Sequence, residues 1–485
     1  MKISIENLGP IKKFDFDIDK DFHIIYGENN IGKSYAISTV YILLKHLAIE
    51  PFDVSNLILG NLLIQDKEKH PELEKLEIAL KNKILDKKTK EFSITKICEN
   101  VLKEAIAKSY LPTIKQSFKN SFSNFESMRN QLSNKEFSLK IYLTNFQFTI
   151  KLSKNNELYI SNLQLEKKIL IRFINTNRKI RERENQILFY INSTNFTFQK
   201  LEAEILEFLV IQVFLSISRL KRVFNEMYFL PASRSGLYQA MNIFSSVFAK
   251  LSQIRHLVNS QIDIPALSEP VSDYFLKLST IKSSKMSDKF SAIAKEIETE
   301  ILDGEVIFNS DTKKIEFIEK KTKLKLDLSE TSSMVSEISP IVAYLKYIIN
   351  ESDEKNDYGS FIYKTSSADY TNSKKLIFIE EPEAHLHPAI QVKLVEFFTK
   401  LIKNNIKIVL TTHSDFISNK LTNLILSKDL DFKSVSSCHL VMKEGGSTDS
   451  EDMKATKEGI EDFNFLKVAE NLYEERIKLS NPENE

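Results

Sequence analysis

The chain has 485 residues, of which 42% are hydrophobic and 27% charged, and its formal net charge is +1. These proportions are typical of a globular protein and exclude a disordered chain. A charge near zero leaves a nucleic-acid partner open, because binding would then depend on a local basic patch. The longest apolar run, residues 205–217, is interrupted by Glu207 and Gln212 and is too short to span a bilayer.

The two cysteines, Cys98 and Cys438, are far apart, and the sequence contains no C-x-x-C pair. A disulfide framework and a zinc site are therefore not expected, and a reducing cytosol is the natural setting. The first residues, MKISIENLGP, lack the basic and then apolar pattern of a signal segment. We expect a cytoplasmic protein with no membrane partner.

Alternating apolar residues in the first 26 positions predict two strands that form a hairpin around Leu8–Ile11, followed by a more buried third strand. Helical spacing then predicts a helix from Ser34. Further along the chain we expect two or three helices in 60–135, a hairpin in 137–165, a strand at 187–191, a long helix at 199–226, a strand at 228–232, a hairpin at 305–328, and a helix at 388–403 between two apolar strands.

A glycine-rich loop lies between the third strand and the helix that follows. Its sequence, GENNIGKS, fits G-x-x-x-x-G-K-[ST] in the strand-loop-helix context that this motif requires. Backbone N–H groups of such a loop face phosphate oxygens, and the helix N-terminus favours anions. Lys33 should reach the outer phosphates, and the Ser34 hydroxyl should bind Mg²⁺. We therefore predict that the nucleotide contacts Asn29, Asn30, Ile31, Gly32, Lys33 and Ser34.

Two carboxylates, Glu380 and Glu381, follow the apolar run Leu376–Ile379. Ligands bind at the carboxyl ends of strands in open α/β sheets. We expect Glu380 to act on the Mg²⁺ shell and Glu381 to polarise the attacking water, because phosphoryl transfer needs both charge neutralisation and an oriented nucleophile. The acidic pair is a weak signal alone, but together with the glycine-rich loop it predicts ATP hydrolysis.

A third motif, the apolar strand IVLTT at 408–412, ends at His413. An imidazole at this position could reach the γ-phosphate and sense it, so we predict a catalytic role for His413. Two other histidines, His385 and His387, lie two residues apart after a strand, which is not the H-E-x-x-H helix pattern of a zinc site. A packing role at the turn is expected for both.

Together these motifs resemble the ABC-type ATPases of the SMC and OLD ("overcoming lysogenization defect") group, and especially its small stand-alone bacterial members of the AAA family. The resemblance is carried by IENLGPIKKFDFDI, GENNIGKS, YFLPASRSG, EEPEAHLHP and TTHS. It covers residues 1–50 and 305–470, and it is more specific for the ATPase type than for the biological role. It implies ATP and Mg²⁺ as cofactors. Arg234, in YFLPASRSG, could contact phosphate or a partner, and a solvated surface position is the alternative.

The resemblance also implies a signature segment, which one copy contributes to the ATP of another. The candidate is 331–337, where Ser332 and Ser333 open a helix whose hydroxyls and free N–H groups suit a γ-phosphate. Met334 stands where the family usually has Gly, which puts closure and hydrolysis rate in question. A simple N-cap is the alternative. We expect a homodimer or higher oligomer that closes around ATP.

OLD-type relatives carry a C-terminal TOPRIM nuclease domain, and the residues after His413 contain no convincing D-x-D strand end with a supporting Glu. The resemblance therefore implies a stand-alone ATPase without TOPRIM from a bacterial anti-phage system of the Septu, PARIS or retron-associated type. Such an ATPase acts with a separately encoded effector, a nuclease or a toxin.

The expected fold class is α/β, an ABC-type P-loop NTPase with mixed sheets, flanking helices and a mainly helical insertion. Residues 1–54 and 301–485 are expected to form the two lobes of the ATPase domain. Residues 55–300 are expected to form the largely helical, partner-binding insertion, with strands near 137–165, 187–191 and 228–232.

Two alternatives to a defence regulator remain. One is an SMC-like ATPase of DNA repair or DNA-end binding, although the sequence lacks sustained heptads. A basic cluster within residues 172–183 of this chain could contact nucleic-acid phosphates. Because Glu182 and Glu184 are interleaved with it, a solvated surface is an equally good interpretation. The other is an ATP-dependent scaffold with little turnover, which Met334 favours. The basic cluster consists of Arg172, Arg178, Lys179, Arg181 and Arg183.

Overall fold

The computed structural model describes residues 1–49, 71–85, 91–174, 180–192, 197–241, 267–281, 288–349, 373–461 and 463–480. The chain divides into two compact units. The first comprises Met1–Asp19 and Thr39–Asn225, and the second comprises Lys20–Ser38 and Glu226–Glu485. The domain boundaries expected from the sequence, after residues 54 and 300, stay a prediction.

The strands are β1 (Lys2–Leu8), β2 (Ile11–Asp17), β3 (Phe22–Gly27), β4 (Glu91–Ser93), β5 (Ser138–Tyr142), β6 (Phe146–Leu152), β7 (Leu158–Leu165), β8 (Lys168–Ile174), β9 (Arg181–Glu182), β10 (Gln186–Asn192), β11 (Phe224–Leu230), β12 (Gly304–Asn309), β13 (Lys314–Glu319), β14 (Lys325–Asp327), β15 (Lys374–Glu380), β16 (Ile406–Thr412), β17 (Val435–Lys443) and β18 (Gly446–Asp449).

The helices with both ends in the described residues are α1 (Lys33–Ala48), α2 (Pro71–Leu85), α3 (Thr95–Phe122), α4 (Phe198–Val223), α5 (Glu269–Ser279), α6 (Asp288–Ile297), α7 (Ser333–Ala343), α8 (Pro388–Lys403), α9 (Asp415–Leu426) and α10 (Phe463–Ser480). Residues 234–241 are also helical. π-helical turns follow α6 at Glu298–Leu302 and α7 at Tyr344–Ile348. Among the helices that the structure describes, none combines the length and apolar character needed to cross a membrane.

In the first unit, antiparallel strands pair in the order β2-β1-β5-β6-β7. The predicted hairpin of β1 and β2 is confirmed, with Leu8 opposite Ile11 at the turn. In β6, buried and partly exposed residues alternate, which is the pattern of a strand with one face on a core. Strands β4, β8, β10 and β9 form a smaller sheet in that order, in which β8 and β10 run parallel.

In the second unit, the strand order is β11-β15-β16-β3-β17-β18. Strands β15, β16, β3 and β17 are mutually parallel. Strands β3 and β16 are buried along their whole length, including the polar residues His23 and Lys407. Such burial is expected of a parallel sheet, which helices cover on both faces. The predicted α/β class with mixed sheets and flanking helices is confirmed.

The predicted hairpin at 305–328 is instead a three-stranded antiparallel sheet, β12-β13-β14. Strand β14 has only three residues, of which Leu326 lies opposite Phe317. A strand this short, with one apolar residue between Lys325 and Asp327, carries no alternation that could separate it from the preceding turn.

The parallel order places three chain segments at one edge of the sheet. Thr411 pairs with Glu380 on one side and with Ile25 on the other, so the ends of β15, β16 and β3 lie side by side. The residues that follow these strands therefore converge at the carboxyl edge, where ligands bind in sheets of this kind.

Candidate nucleotide site

The loop from Gly27 to Gly32 joins buried strand β3 to α1. Its backbone has positive φ at Gly27 (142°), Asn30 (61°) and Gly32 (100°). A Cβ atom on Gly27 would lie 2.1 Å from Ile31 Cδ1 and 2.5 Å from Leu440 O, so this position requires glycine.

The two ends of this loop differ in exposure. Asn29 and Asn30 are exposed, whereas Ile31 is buried. The Ser447 hydroxyl donates to the Ile31 carbonyl oxygen at 2.6 Å. The loop is therefore anchored at Ile31 and open to solvent at the two asparagines.

The Lys33 side chain folds back over the loop. Its Nζ donates to the carbonyl oxygens of Gly27 at 2.9 Å and Glu28 at 2.8 Å. Burial lowers the pKa of Lys33 to about 8, although the negative charges of nearby glutamates act in the opposite direction. These glutamates are Glu381, Glu383 and Glu380. Within the described residues, the ammonium group donates to neutral carbonyls of the loop, which it could exchange for phosphate oxygens.

Glu380, the last residue of β15, is buried, and its Oε2 accepts from the Ala232 N–H at 3.4 Å. The Ser34 hydroxyl also donates to this carboxylate. Among the described residues, Glu380 Oε1 is buried without a hydrogen-bond partner. Burial raises the pKa of Glu380. A hydroxyl beside an unsatisfied carboxylate oxygen is the hard-oxygen donor set that Mg²⁺ prefers, so these two residues fit the predicted metal.

Glu381 and His413 face each other across the ends of β15 and β16. His413 Nε2 lies 3.4 Å from Glu381 Oε1, and both side chains are partly exposed. The hydrogen bond with His413 is the largest cause of the lowered pKa of Glu381. Glu381 also has a positive φ of 42°, and its N–H donates to Thr411 O at 3.0 Å. The carboxylate is therefore kept ionised and accessible to water, as a group that orients a nucleophile must be.

Glu383, the last residue of the acidic motif, has no role in the sequence-based prediction. Its Oε1 accepts from the Thr412 hydroxyl at 2.8 Å and from the His413 N–H at 2.6 Å. Burial raises its pKa. Glu383 therefore holds the backbone of His413 in place. The spacing of EEPE on its own gives no signal for this contact, because Thr412 is the last residue of another strand and His413 follows it.

Arg234 is fully buried, so its side chain makes neither of the contacts, with phosphate or with a partner, that the sequence left open. Its Nη1 donates to the Glu380 carbonyl oxygen at 2.8 Å and its Nη2 to that of Glu381 at 3.3 Å. The guanidinium also pairs with Glu337, with Nη2 3.2 Å from Oε2. Glu337 is the last residue of the predicted signature segment 331–337, but the sequence did not predict its pairing with Arg234, because a carboxylate in an apolar helix carries no sign of its partner.

The signature serines lie at the start of α7, and both are exposed. Ser332 is the N-cap, and its hydroxyl accepts from the Val335 N–H at 3.4 Å. Within the described residues, neither Ser332 nor Ser333 hydrogen-bonds to the Lys33 and Glu380 cluster. Their contact with the ATP of a second copy stays a prediction.

Two of the remaining candidates, His387 and Arg172, make structural contacts. His387 Nδ1 accepts from the Ala389 N–H at 3.3 Å and caps α8. Arg172, of the basic cluster, pairs with Glu91. Arg178 and Lys179 lie outside the described residues.

Fold and site together define a P-loop ATPase, with a phosphate loop, an acidic strand end and a third strand that is followed by a histidine. The chain belongs to the AAA ATPase domain family, whose model matches residues 1–418. ATP hydrolysis and the α/β P-loop fold, both predicted from the sequence, are confirmed. No curated protein matches the chain.

Solved structures of SMC heads are similar to this chain over most of their length. An SMC head bound to the C-winged helix domain of ScpA has a TM-score of 0.33 and 11% identity, covering 93% of this chain and 97% of the other. The SMC head domain from Thermotoga maritima has a TM-score of 0.30 and 9% identity, covering 92% of this chain and 96% of the other. An Smc head domain with an extended coiled coil, bound to the C-terminal domain of ScpA derived from Pyrococcus furiosus, has a TM-score of 0.34 and 12% identity, covering 98% of each chain. At these TM-scores, neither activity nor partner follows for this chain.

Proposed function

We propose that this ATPase is of the ABC type, closes around ATP as a homodimer or higher oligomer in the cytoplasm, and regulates a separately encoded effector in anti-phage defence. The observation that carries the proposal is the convergence of two pairs of side chains at one sheet edge. These pairs are Ser34 with Glu380 and Glu381 with His413. The defence role is supported by the resemblance of the motif segments to stand-alone bacterial ATPases.

The loop and its helix suit the triphosphate. The loop Gly27–Gly32, in which three residues have positive φ, and the N-terminus of α1 would present N–H groups, and Lys33 would supply a positive charge. Ser34 and Glu380 would hold Mg²⁺, which when bound neutralises charge on the phosphates. Glu381 would orient the attacking water, and His413 would connect this carboxylate to the γ-phosphate.

Closure by a second copy is supported by the exposure of Ser332 and Ser333 at a helix N-terminus. Hydroxyl and N–H groups at such an end suit the γ-phosphate of another chain. Met334, in place of the usual Gly, would slow closure or hydrolysis. An ATP-dependent oligomer can then order a surface for the effector, a nuclease or a toxin, and release it after hydrolysis.

Steady-state phosphate release, measured together with oligomer size with and without ATP, tests this proposal. Wild type should hydrolyse ATP and associate with it, whereas Lys33→Ala should do neither. Stimulation of turnover by linear DNA would favour an SMC-like DNA-end-binding ATPase. Turnover close to background in both wild type and Glu381→Gln would favour a scaffold and contradict the regulator with an ATP cycle.

The defence role needs a separate experiment in cells. The gene, expressed together with its neighbouring reading frames, should protect a bacterial host from phage, and Lys33→Ala should remove the protection. A host equally resistant with wild type and with Lys33→Ala would contradict an ATP-dependent role in defence.

A further inference from the structure

A fully buried ion pair lies behind the acidic strand end and is not among the groups that face the nucleotide. Arg234 is 0% exposed and Glu337 is 1% exposed. Burying a charge is expensive unless every polar atom finds a partner, so the contacts of this pair show what it holds together.

Arg234 uses its guanidinium to hold backbone carbonyls. Nη1 donates to Pro231 O at 3.0 Å and to Glu380 O at 2.8 Å, and Nη2 donates to Glu381 O at 3.3 Å. The last two acceptors are the carbonyl oxygens on either side of the Glu381 Cα atom. Glu381 has a φ of 42°, a left-handed conformation that a non-glycine residue keeps only when its surroundings fix it. Arg234 therefore fixes the backbone that aims the Glu381 carboxylate at His413.

Glu337 forms the other half of the link. Its carboxylate accepts from the N–H groups of Arg234 and Ser235, each at 3.2 Å, and from the Ser235 hydroxyl at 2.8 Å. Its carbonyl oxygen accepts from Arg234 Nε at 3.1 Å. Glu337 belongs to α7, one helical turn after Ser333, so the same pair joins the start of the signature helix to the acidic strand end.

We propose that Arg234 is a positioning residue that sets the backbone of Glu381 and, through Glu337, couples it to the helix that begins at Ser333. A shift of α7 when Ser332 and Ser333 engage the ATP of a second copy then moves the water-orienting carboxylate. This inference rests on the proposed ABC-type cycle, and it adds a route from closure to hydrolysis within one chain.

Arg234→Lys tests the positioning role. Lysine keeps the positive charge beside Glu337 but lacks the planar fork that reaches the two carbonyls together. We expect kcat to fall about tenfold or more, because small errors in the placement of a reacting group are costly. The dissociation constant for ATP should stay within about twofold of wild type, since Lys33 and its loop are unchanged.

A second buried pair in the same unit supplies the matched control. Lys346 and Glu298 are 4% and 7% exposed, with Nζ 2.9 Å from Oε1, and they join two π-helical turns rather than the acidic strand end. Glu298→Gln should lower the unfolding temperature while kcat per folded molecule stays within about twofold of wild type, since the catalytic groups are untouched.

Equal kcat values for Arg234→Lys and wild type would overturn the inference. If Arg234→Lys does not fold, Glu337→Gln decides instead. A loss of kcat at unchanged ATP affinity supports the coupling, and a kcat equal to that of Glu298→Gln overturns it. Failure of the proposed function can be distinguished from failure of this inference. In the first case, wild type and Lys33→Ala would hydrolyse ATP at the same rate.

Discussion

His413 Nε2 lies 3.4 Å from Glu381 Oε1, and this contact joins the ends of two neighbouring parallel strands. The His413 N–H is held at the same time by Glu383 Oε1 at 2.6 Å. The side chain proposed to sense the γ-phosphate therefore contacts the side chain proposed to orient the attacking water. We therefore expect both ATP binding and ATP hydrolysis to respond to changes in this pair and in the Gly27–Gly32 loop beside it.

Glu381→Gln should keep ATP binding and lose hydrolysis. Glutamine preserves the shape of the side chain, but it has no negative charge to polarise water, and we expect kcat to fall at least about 100-fold. ATP should then hold the oligomer together, because the cycle stops before release. Single-turnover hydrolysis and light scattering measure both effects. Hydrolysis at the wild-type rate would rule out the assigned role.

Lys33→Ala should abolish measurable ATP binding. Hydrogen bonds from a charged donor are worth about 1.5–3 kcal/mol each, and loss of the ammonium from the phosphates would lower affinity by about 100-fold or more. Isothermal titration calorimetry measures the affinity directly. Lys13→Ala, at an exposed lysine, is the control and should bind as wild type does. Normal binding by Lys33→Ala would remove the phosphate-loop assignment.

Gly27→Ala should destabilise the loop and weaken ATP binding. The new methyl group would meet the Leu440 carbonyl oxygen at 2.5 Å, and the φ of 142° is unfavourable for alanine. The expected cost is about 2 kcal/mol or more of unfolding free energy.

Gly236→Ala is the matched control for this change. A Cβ there meets no atom within 4 Å, and residues 234–241 are helical. Its stability should be unchanged or slightly raised. Denaturation curves that show equal losses in the two variants would contradict the requirement for glycine at position 27.

The stability of the fold should decrease in mild acid because of His23. Burial, reinforced by the charge of Lys407, lowers the pKa of His23 in the folded state to about 3, although Asp21 opposes this shift. The unfolded chain takes up a proton below a pH of about 6.5, whereas the folded chain does not, so unfolding becomes easier as pH falls through this range.

The loss attributable to His23 approaches about 1.4 kcal/mol per pH unit below a pH of about 6. Unfolding free energies between pH 7 and pH 5 measure this slope, and His23→Leu should reduce it. An equal slope in wild type and His23→Leu would show that His23 does not titrate on unfolding.

The phosphate loop and the acidic strand could be predicted from the sequence because their chemistry is local. Gly27, Lys33 and Ser34 lie within one loop, and Glu380 follows a run of apolar residues. A regular period of apolar residues likewise predicts the long helix, which the structure places at Phe198–Val223.

The supporting contacts could not be predicted, because they join residues that are distant in sequence. Arg234 and Glu337 are separated by 103 positions, and a charged residue in a sequence is ordinarily read as exposed. The same reason applies to Glu383, whose partners Thr412 and His413 lie at the end of another strand. Local pattern predicts which residues carry the chemistry, whereas tertiary packing decides which residues hold them in place.

The central claim is that Ser34 and Glu380 share one cation beside a triphosphate in the Gly27–Gly32 loop. A crystal structure of Glu381→Gln with ATP and Mg²⁺ tests it most directly. We predict a metal ion bound by the Ser34 hydroxyl with the Glu380 carboxylate in its coordination shell, and Lys33 Nζ on the outer phosphates. A nucleotide bound elsewhere, or a metal ion far from both residues, would contradict it.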